Sequence, residues 1–140
     1  MIKVVLDTNI IISAVLSSDG NPAKIFEMLL SEKIQNFTTT EIIEEITGVL
    51  NRPRISKRLN FGEKEFILNN FNQFSTLINP IIKLMEIKED PDDNKFLECA
   101  ISAHVHYIIS GDYHLLNVKE FKGIPIVRPA EFVQLMEKMK

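Results

Sequence analysis

Apolar residues along this chain fall into two kinds of segment: short runs rich in β-branched residues, and longer stretches with helical spacing. Ile2 to Leu6 is a run of the first kind and predicts a buried strand, ended by Asp7-Thr8-Asn9. Ile10 to Leu16 predicts a helix and Ser17 to Gly20 a loop, after which Asn21 caps a helix with Pro22 at its first position. Ile25, Phe26, Leu29 and Leu30 give that helix an apolar stripe. Ile34 to Thr38 predicts a second strand, and Thr40 a cap for a helix from Glu41 to Leu50 that stops at Asn51-Arg52-Pro53.

Phe66, Ile67, Asn70, Phe71 and Phe74 are in phase on a helix from Phe61 to Phe74. Leu77 to Ile87 is apolar but interrupted by Pro80 and takes no assignment. Asp90-Pro91-Asp92-Asp93 opens a helix that runs to about His104. Val105 to Ser110 predicts a strand, Gly111-Asp112 a turn, and His114 to Val118 a short helix. Ile124 to Val127 predicts a last strand, placed at an edge by Pro125, and Pro129 opens a terminal helix. Strands alternating with helices predict an α/β fold with a parallel sheet covered on both faces. No repeat or interdomain linker interrupts the pattern, and 140 residues suit one domain spanning 1–140.

The apolar runs are too short to span a membrane. No basic, apolar and cleavage-site succession of the secretory kind follows Met1. Cys99, the single cysteine, has no partner for an internal disulfide. A cytoplasmic location is the expectation. The net charge of −3 is weak for a nucleic-acid binder. Its distribution is more telling: Arg52, Arg54, Lys57 and Arg58 form one cluster, and Glu86, Glu89, Asp90, Asp92 and Asp93 another. A basic patch for phosphates beside an acidic pocket for cations has this pattern, as do two solvated surface clusters.

In open parallel sheets ligands bind beyond the carboxyl ends of the strands. Asp7 and Asp112 each follow a predicted strand, Glu45 lies about one turn into a helix that follows a strand, and Asp93 starts a helix that leads into one. Singly, each has a structural explanation: turn former, helix cap or solvated charge. Together they can converge on one sheet edge. At about 100° per residue, Glu45 lies at the margin of the stripe of Ile42, Ile43, Ile46, Val49 and Leu50, and Glu44 on its far side. Asp93 is in phase with Phe96, Leu97, Ala100 and Ile101, and Asp92 less so.

No Lys or Arg on these two helices stands out as a partner for the acids. Two carboxylates about 6 Å apart repel by about 3 kcal/mol at an effective dielectric near 20. Protonation or a cation would relieve four of them, and oxygen ligands without a His or Cys cluster suit Mg²⁺ or Mn²⁺. His104 and His106 offer a competing zinc site, although they straddle the predicted boundary between helix and strand. His114, two residues after Asp112, reads as a surface residue, with contact to substrate as the alternative, and Cys99 reads as a small core residue.

These motifs resemble the PIN-domain family. Val4-Val5-Leu6-Asp7-Thr8-Asn9 is similar to its opening, and Glu45 before Ile46 stands where its second acid is expected. Asp90-Pro91-Asp92-Asp93-Asn94-Lys95-Phe96-Leu97 with Ala100 resembles the third motif, and Ile108-Ile109-Ser110-Gly111-Asp112 with Leu115-Leu116 the fourth. The resemblance runs from Ile2 to about Phe132.

It implies a three-layer α/β/α sandwich with a central parallel sheet and a Mg²⁺- or Mn²⁺-dependent endoribonuclease. It implies Asp7, Glu45, Asp93 and Asp112 as metal ligands, with Asn9 and Ser110 as polar supports beside them; the family often has Thr where this chain has Ser110. Within the family the chain looks most like the VapC-like toxins of toxin–antitoxin systems, which implies a homodimer, a small antitoxin protein as partner and RNA as substrate. The double acids Glu44-Glu45 and Asp92-Asp93 leave the alignment open by one residue. A PIN nuclease acting in RNA processing without an antitoxin, or a silent scaffold, stays open as an alternative. A haloacid-dehalogenase-type phosphatase is disfavoured, because Asn9 stands where it would place a second Asp.

Overall fold

The computed structural model describes residues 1–80 and 93–139. The elements follow in the order β1 (Ile2–Leu6), α1 (Thr8–Leu16), α2 (Asn21–Leu30), β2 (Ile34–Thr38), α3 (Thr40–Leu50), α4 (Pro53–Ser56), α5 (Phe61–Phe74) and β3 (Ser75–Leu77). They continue with α6 (Asn94–Ala103), β4 (Tyr107–Ile109), α7 (Tyr113–Val118), β5 (Glu120–Phe121), β6 (Ile124–Val127) and α8 (Pro129–Lys138). The strands form one six-stranded sheet in the order β3-β2-β1-β4-β6-β5. Helices flank it on both faces, giving the expected α/β/α sandwich.

Pairing is parallel from β3 through β6, with Ile2 opposite Ile34, Leu6 opposite Ile109 and Ile109 opposite Val127. The exception is β5, which runs antiparallel to β6, so the sheet is mostly rather than wholly parallel. Pro125 consequently does not mark an edge. It faces Glu120 of β5 and lies ahead of the registered pairs between β6 and β4. Proline is tolerated near the start of a strand, where few ladder bonds are asked of it.

The core is built largely from the predicted apolar positions; on α5 Ile67 and Phe71 enter it, whereas Phe66 of the predicted stripe is exposed. Val4, Val5 and Leu6 of β1 are buried together with Ile108 and Ile109 of β4, as the continuous apolar runs of a doubly covered sheet require. From α3, Ile42, Ile46, Val49 and Leu50 enter the core; from α6, Phe96, Leu97, Cys99 and Ala100 do. Helix α6 packs on β1, β2 and β4 and also against α3. Three short elements, α4, β3 and β5, were not predicted. Helix starts moved by a residue or two: Asp7, Gly20 and Thr39 hold the N-cap positions of α1, α2 and α3. The strand expected from Val105 to Ser110 is limited to Tyr107–Ile109. The segment around Pro80 to Ile87 and the Asp90-Pro91-Asp92 helix opening lie largely outside the described residues.

Strand β1 has β2 on one side and β4 on the other, so the connections leaving β1 and β4 diverge. Such a divergence opens a crevice at the carboxyl ends of the strands. Asp7 ends β1 and the Ser110-Gly111-Asp112 turn follows β4 at that point. Buried Asn36 stitches the adjoining strands: its Oδ1 accepts the N–H of Leu6 at 3.0 Å, and its Nδ2 donates to Ser75 Oγ at 2.9 Å.

Candidate active site

Asp7 is fixed by its position between a strand and a helix. Its backbone N–H donates to the carbonyl of Ile109 at 3.1 Å, continuing the β1–β4 ladder for one residue. Its Oδ1 accepts the backbone N–H of Asn9 at 2.6 Å, which caps α1. Its Oδ2 accepts the hydroxyl of Ser110. The residue is 2% exposed, and burial pushes its carboxyl up to about 6. The Ser110 and Asn9 hydrogen bonds pull the other way, and the nearby Asp112 charge raises it further. Burial is thus the leading cause, ahead of repulsion between acids.

Ser110 is fully buried and serves two acids at once. Besides donating to Asp7 it accepts the backbone N–H of Asp112 at 2.9 Å. Asp112 holds the N-cap of α7, and its Oδ1 accepts the N–H of His114 at 2.7 Å. Asp93 is buried at the N-cap of α6. Asp92, its alternative in the alignment, lies outside the described residues.

Glu45 reaches the same place from α3, half-buried, whereas Glu44 is exposed. Its Oε2 accepts the hydroxyl of Thr8, and its Oε1 lies 2.8 Å from the ammonium of Lys95. This ion pair corrects the expectation that no Lys or Arg on the two helices is a partner for these acids. Lys95 is the second residue of α6, and the packing of α6 against α3 brings it to Glu45. Its ammonium also stands 5.2 Å from the centroid of the Phe96 ring.

Asp7, Glu45, Asp93 and Asp112 line one small polar cleft of about 130 Å³ with Thr8, Asn9, Val49, Arg52 and Phe96. Asn9 touches Asp7 through its backbone, and its side chain is exposed. Of the basic cluster, Arg52 lines the cleft, while Arg54, Lys57 and Arg58 are exposed on or just beyond α4. The donor chemistry fits a hard divalent cation, since the wall offers carboxylate and hydroxyl oxygens. Among the described residues, no three acidic, histidine or cysteine side chains stand as a ready-made ligand group. Thr8 and Lys95 engage both oxygens of Glu45, and Ser110 and Asn9 both oxygens of Asp7.

The other sequence candidates sit elsewhere. His104 is the left-handed C-cap of α6, and His106 accepts the N–H of Lys3 on Nδ1 at 2.9 Å. Cys99 is buried and its thiol is pushed up to about 12 by that burial, which makes it an inert core residue. Thr8 and Lys95 are the site residues that the sequence reading did not single out. Thr8 adjoins Asp7 and Lys95 lies two residues after Asp93, so closeness to a motif acid was the available signal.

The fold is that of a known class. The PIN domain model matches residues 3–114, and the chain belongs to the PIN domain family, whose general class is nuclease. It is 34% identical over 146 residues to an uncharacterized protein of Methanocaldococcus jannaschii, across 98% of this chain and 93% of that protein. Its fold is similar to the crystal structure of VapBC2 from Rickettsia felis bound to a DNA fragment from their promoter. That match has a TM-score of 0.61 at 13% identity and covers 91% of this chain and 98% of the other. Among the described residues, no helix is long and apolar enough to cross a membrane.

Proposed function

We propose that the chain is an endoribonuclease that hydrolyses RNA phosphodiester bonds, with Mg²⁺ or Mn²⁺ held by Asp7, Glu45, Asp93 and Asp112. The observation that carries this reading is the convergence of four acids, from four separate places in the sequence, on one cleft at the switch point of the sheet. A divalent ion there would supply an activated water and neutralise charge on the phosphodiester. The protein's own contribution is orientation. Ser110 and the Asn9 N–H fix Asp7, the Ser110 hydroxyl ties the start of the Asp112 turn to it, and Thr8 fixes Glu45. Arg52 on the cleft wall, with Arg54, Lys57 and Arg58 beyond it, would hold the RNA phosphates.

Membership of the PIN family and the likeness in fold to VapBC2 support a further step. In this reading the chain is a cytoplasmic VapC-like toxin, a single domain that forms a homodimer and is silenced by a small antitoxin protein. A short reading frame beside its gene, whose product co-purifies with it and inhibits it, is the expected finding. A nuclease without such a neighbour belongs to RNA processing instead. Activity is tested by incubating purified protein with RNA, with and without EDTA. Cleavage is expected with Mn²⁺ and not with EDTA or in Asp7→Asn. Cleavage that survives both changes excludes the metal mechanism, and a protein that neither cleaves nor binds Mn²⁺ is a scaffold.

A further inference from the structure

Lys95 is a cation ion-paired to Glu45 on the wall of an acidic cleft, with its side chain only 10% exposed. Its ammonium lies between the carboxylate of Glu45 at 2.8 Å and the face of the Phe96 ring at 5.2 Å. An ammonium this well removed from water needs a counter-charge, because burying one alone is far more costly than burying a paired one. Glu45 supplies that charge. The benefit is mutual, since Glu45 shares the cleft with Asp7, Asp93 and Asp112.

Both oxygens of Glu45 are taken, Oε2 by the Thr8 hydroxyl and Oε1 by Lys95. A hydroxyl can turn and leave its acceptor open to a further ligand. An ammonium at 2.8 Å is a charge that a divalent cation must work against.

We propose that Lys95 is the resident counter-ion of Glu45: a positioning residue that holds Glu45 in the metal-free protein and yields it to an entering divalent cation. This rests on the reading of the cleft as a metal site. Lys95 then sets the concentration of divalent ion at which the site fills. It weakens the ion's hold and in exchange offsets the Glu45 charge in the metal-free cleft.

The test is Mn²⁺ binding by titration calorimetry in wild type, Lys95→Gln and Lys95→Arg, with circular dichroism to check the fold and melting temperatures recorded in EDTA. Lys95→Gln is expected to bind Mn²⁺ at least tenfold more tightly and to melt lower in EDTA, while Lys95→Arg stays close to wild type in both. If wild type binds Mn²⁺ and folded Lys95→Gln binds it no more tightly, Lys95 is mere scaffolding and the proposal is overturned with the metal site intact. If neither protein binds Mn²⁺, the metal reading itself fails and takes the proposal with it. Should Lys95→Gln not fold, the double variant Glu45→Gln/Lys95→Gln decides. Recovery of the fold shows that the damage came from the uncompensated carboxylate, as proposed, and continued unfolding overturns it.

Discussion

Ser110 donates its hydroxyl to Oδ2 of Asp7, so the residue that follows β4 anchors the acid that follows β1. Because that hydroxyl also accepts the N–H of Asp112, one buried side chain sets the spacing of two site acids. Ser110→Ala removes a donor to a buried carboxylate and strands a backbone N–H. Leaving buried polar groups unsatisfied costs about 1–3 kcal/mol, and urea unfolding should show a loss in that range. The Ser110 bond also holds the Asp7 carboxyl down. Its titration, followed by NMR in the metal-free variant, should move further up. An unchanged stability and titration would mean that the hydroxyl carries no weight here.

The raised carboxyl of Asp7 makes stability depend on pH in a definite direction. The folded state keeps the proton up to about pH 6, whereas the unfolded chain releases it near 3.8. The folded state therefore binds more protons across that window, and stability falls as pH rises through it. Above the window the cost levels off at about 3 kcal/mol, an order-of-magnitude figure for a group shifted by about two pKa units, from 3.8 to about 6. Asp7→Asn escapes this cost. In EDTA it should be more stable than wild type at about pH 7.5 and nearly equal at about pH 4. Denaturant midpoints at both pH values check this, and a difference that does not vary with pH would contradict it.

The sequence made β1 legible as a short β-branched run cut off by Asp7-Thr8-Asn9, and the buried faces of α3 and α6 legible because each keeps a helical period over its length. The acids were legible for a related reason: Asp7 and Asp112 sit where a strand pattern stops, and Glu45 has a definable helical phase. The Lys95–Glu45 pair was not, since phase on α6 and phase on α3 are separate facts until the two helices are packed. Strand β3 was hidden because it follows α5 with no break and is only three residues long. The antiparallel β5 has two residues, too few for any alternation to register. The origin of the Asp7 shift was also hidden. Spacing suggests repulsion between carboxylates, but burial leads, and burial is a property of the assembled crevice.

The four basic residues should not contribute equally to RNA binding. Arg52 lines the cleft beside the acids, while Arg54, Lys57 and Arg58 are exposed around α4. Arg52→Ala should therefore lower kcat/KM for RNA more than any of the other three single alanine variants. Phosphate contacts release counterions, so each one lost should reduce the slope of log affinity against log salt by about 1. The quadruple alanine variant should show the flattest dependence in filter binding across a salt series. A slope equal to that of wild type would return the cluster to the role of solvated surface charge.

Glu45 and Glu44 are adjacent on α3 yet face different surroundings, and that difference separates a site residue from a surface one. Glu45 is half-buried on the cleft wall, held by Thr8 and Lys95. Glu44 is rotated by about 100° and is exposed. An exposed glutamate tolerates substitution within about 0.5 kcal/mol, so Glu44→Gln should fold and cleave RNA almost as wild type does. Glu45→Gln keeps the shape of the side chain and an oxygen for the Thr8 hydroxyl but loses the charge. It should abolish most cleavage at saturating Mn²⁺ with the circular dichroism spectrum intact. Because it also removes the carboxylate 2.8 Å from the ammonium of Lys95, it should melt somewhat lower than Glu44→Gln. The two variants are compared by initial cleavage rate and melting temperature under identical conditions. A dead Glu44→Gln beside an active Glu45→Gln would place the second acid of the site one residue earlier and remove Glu45 from the metal-binding set.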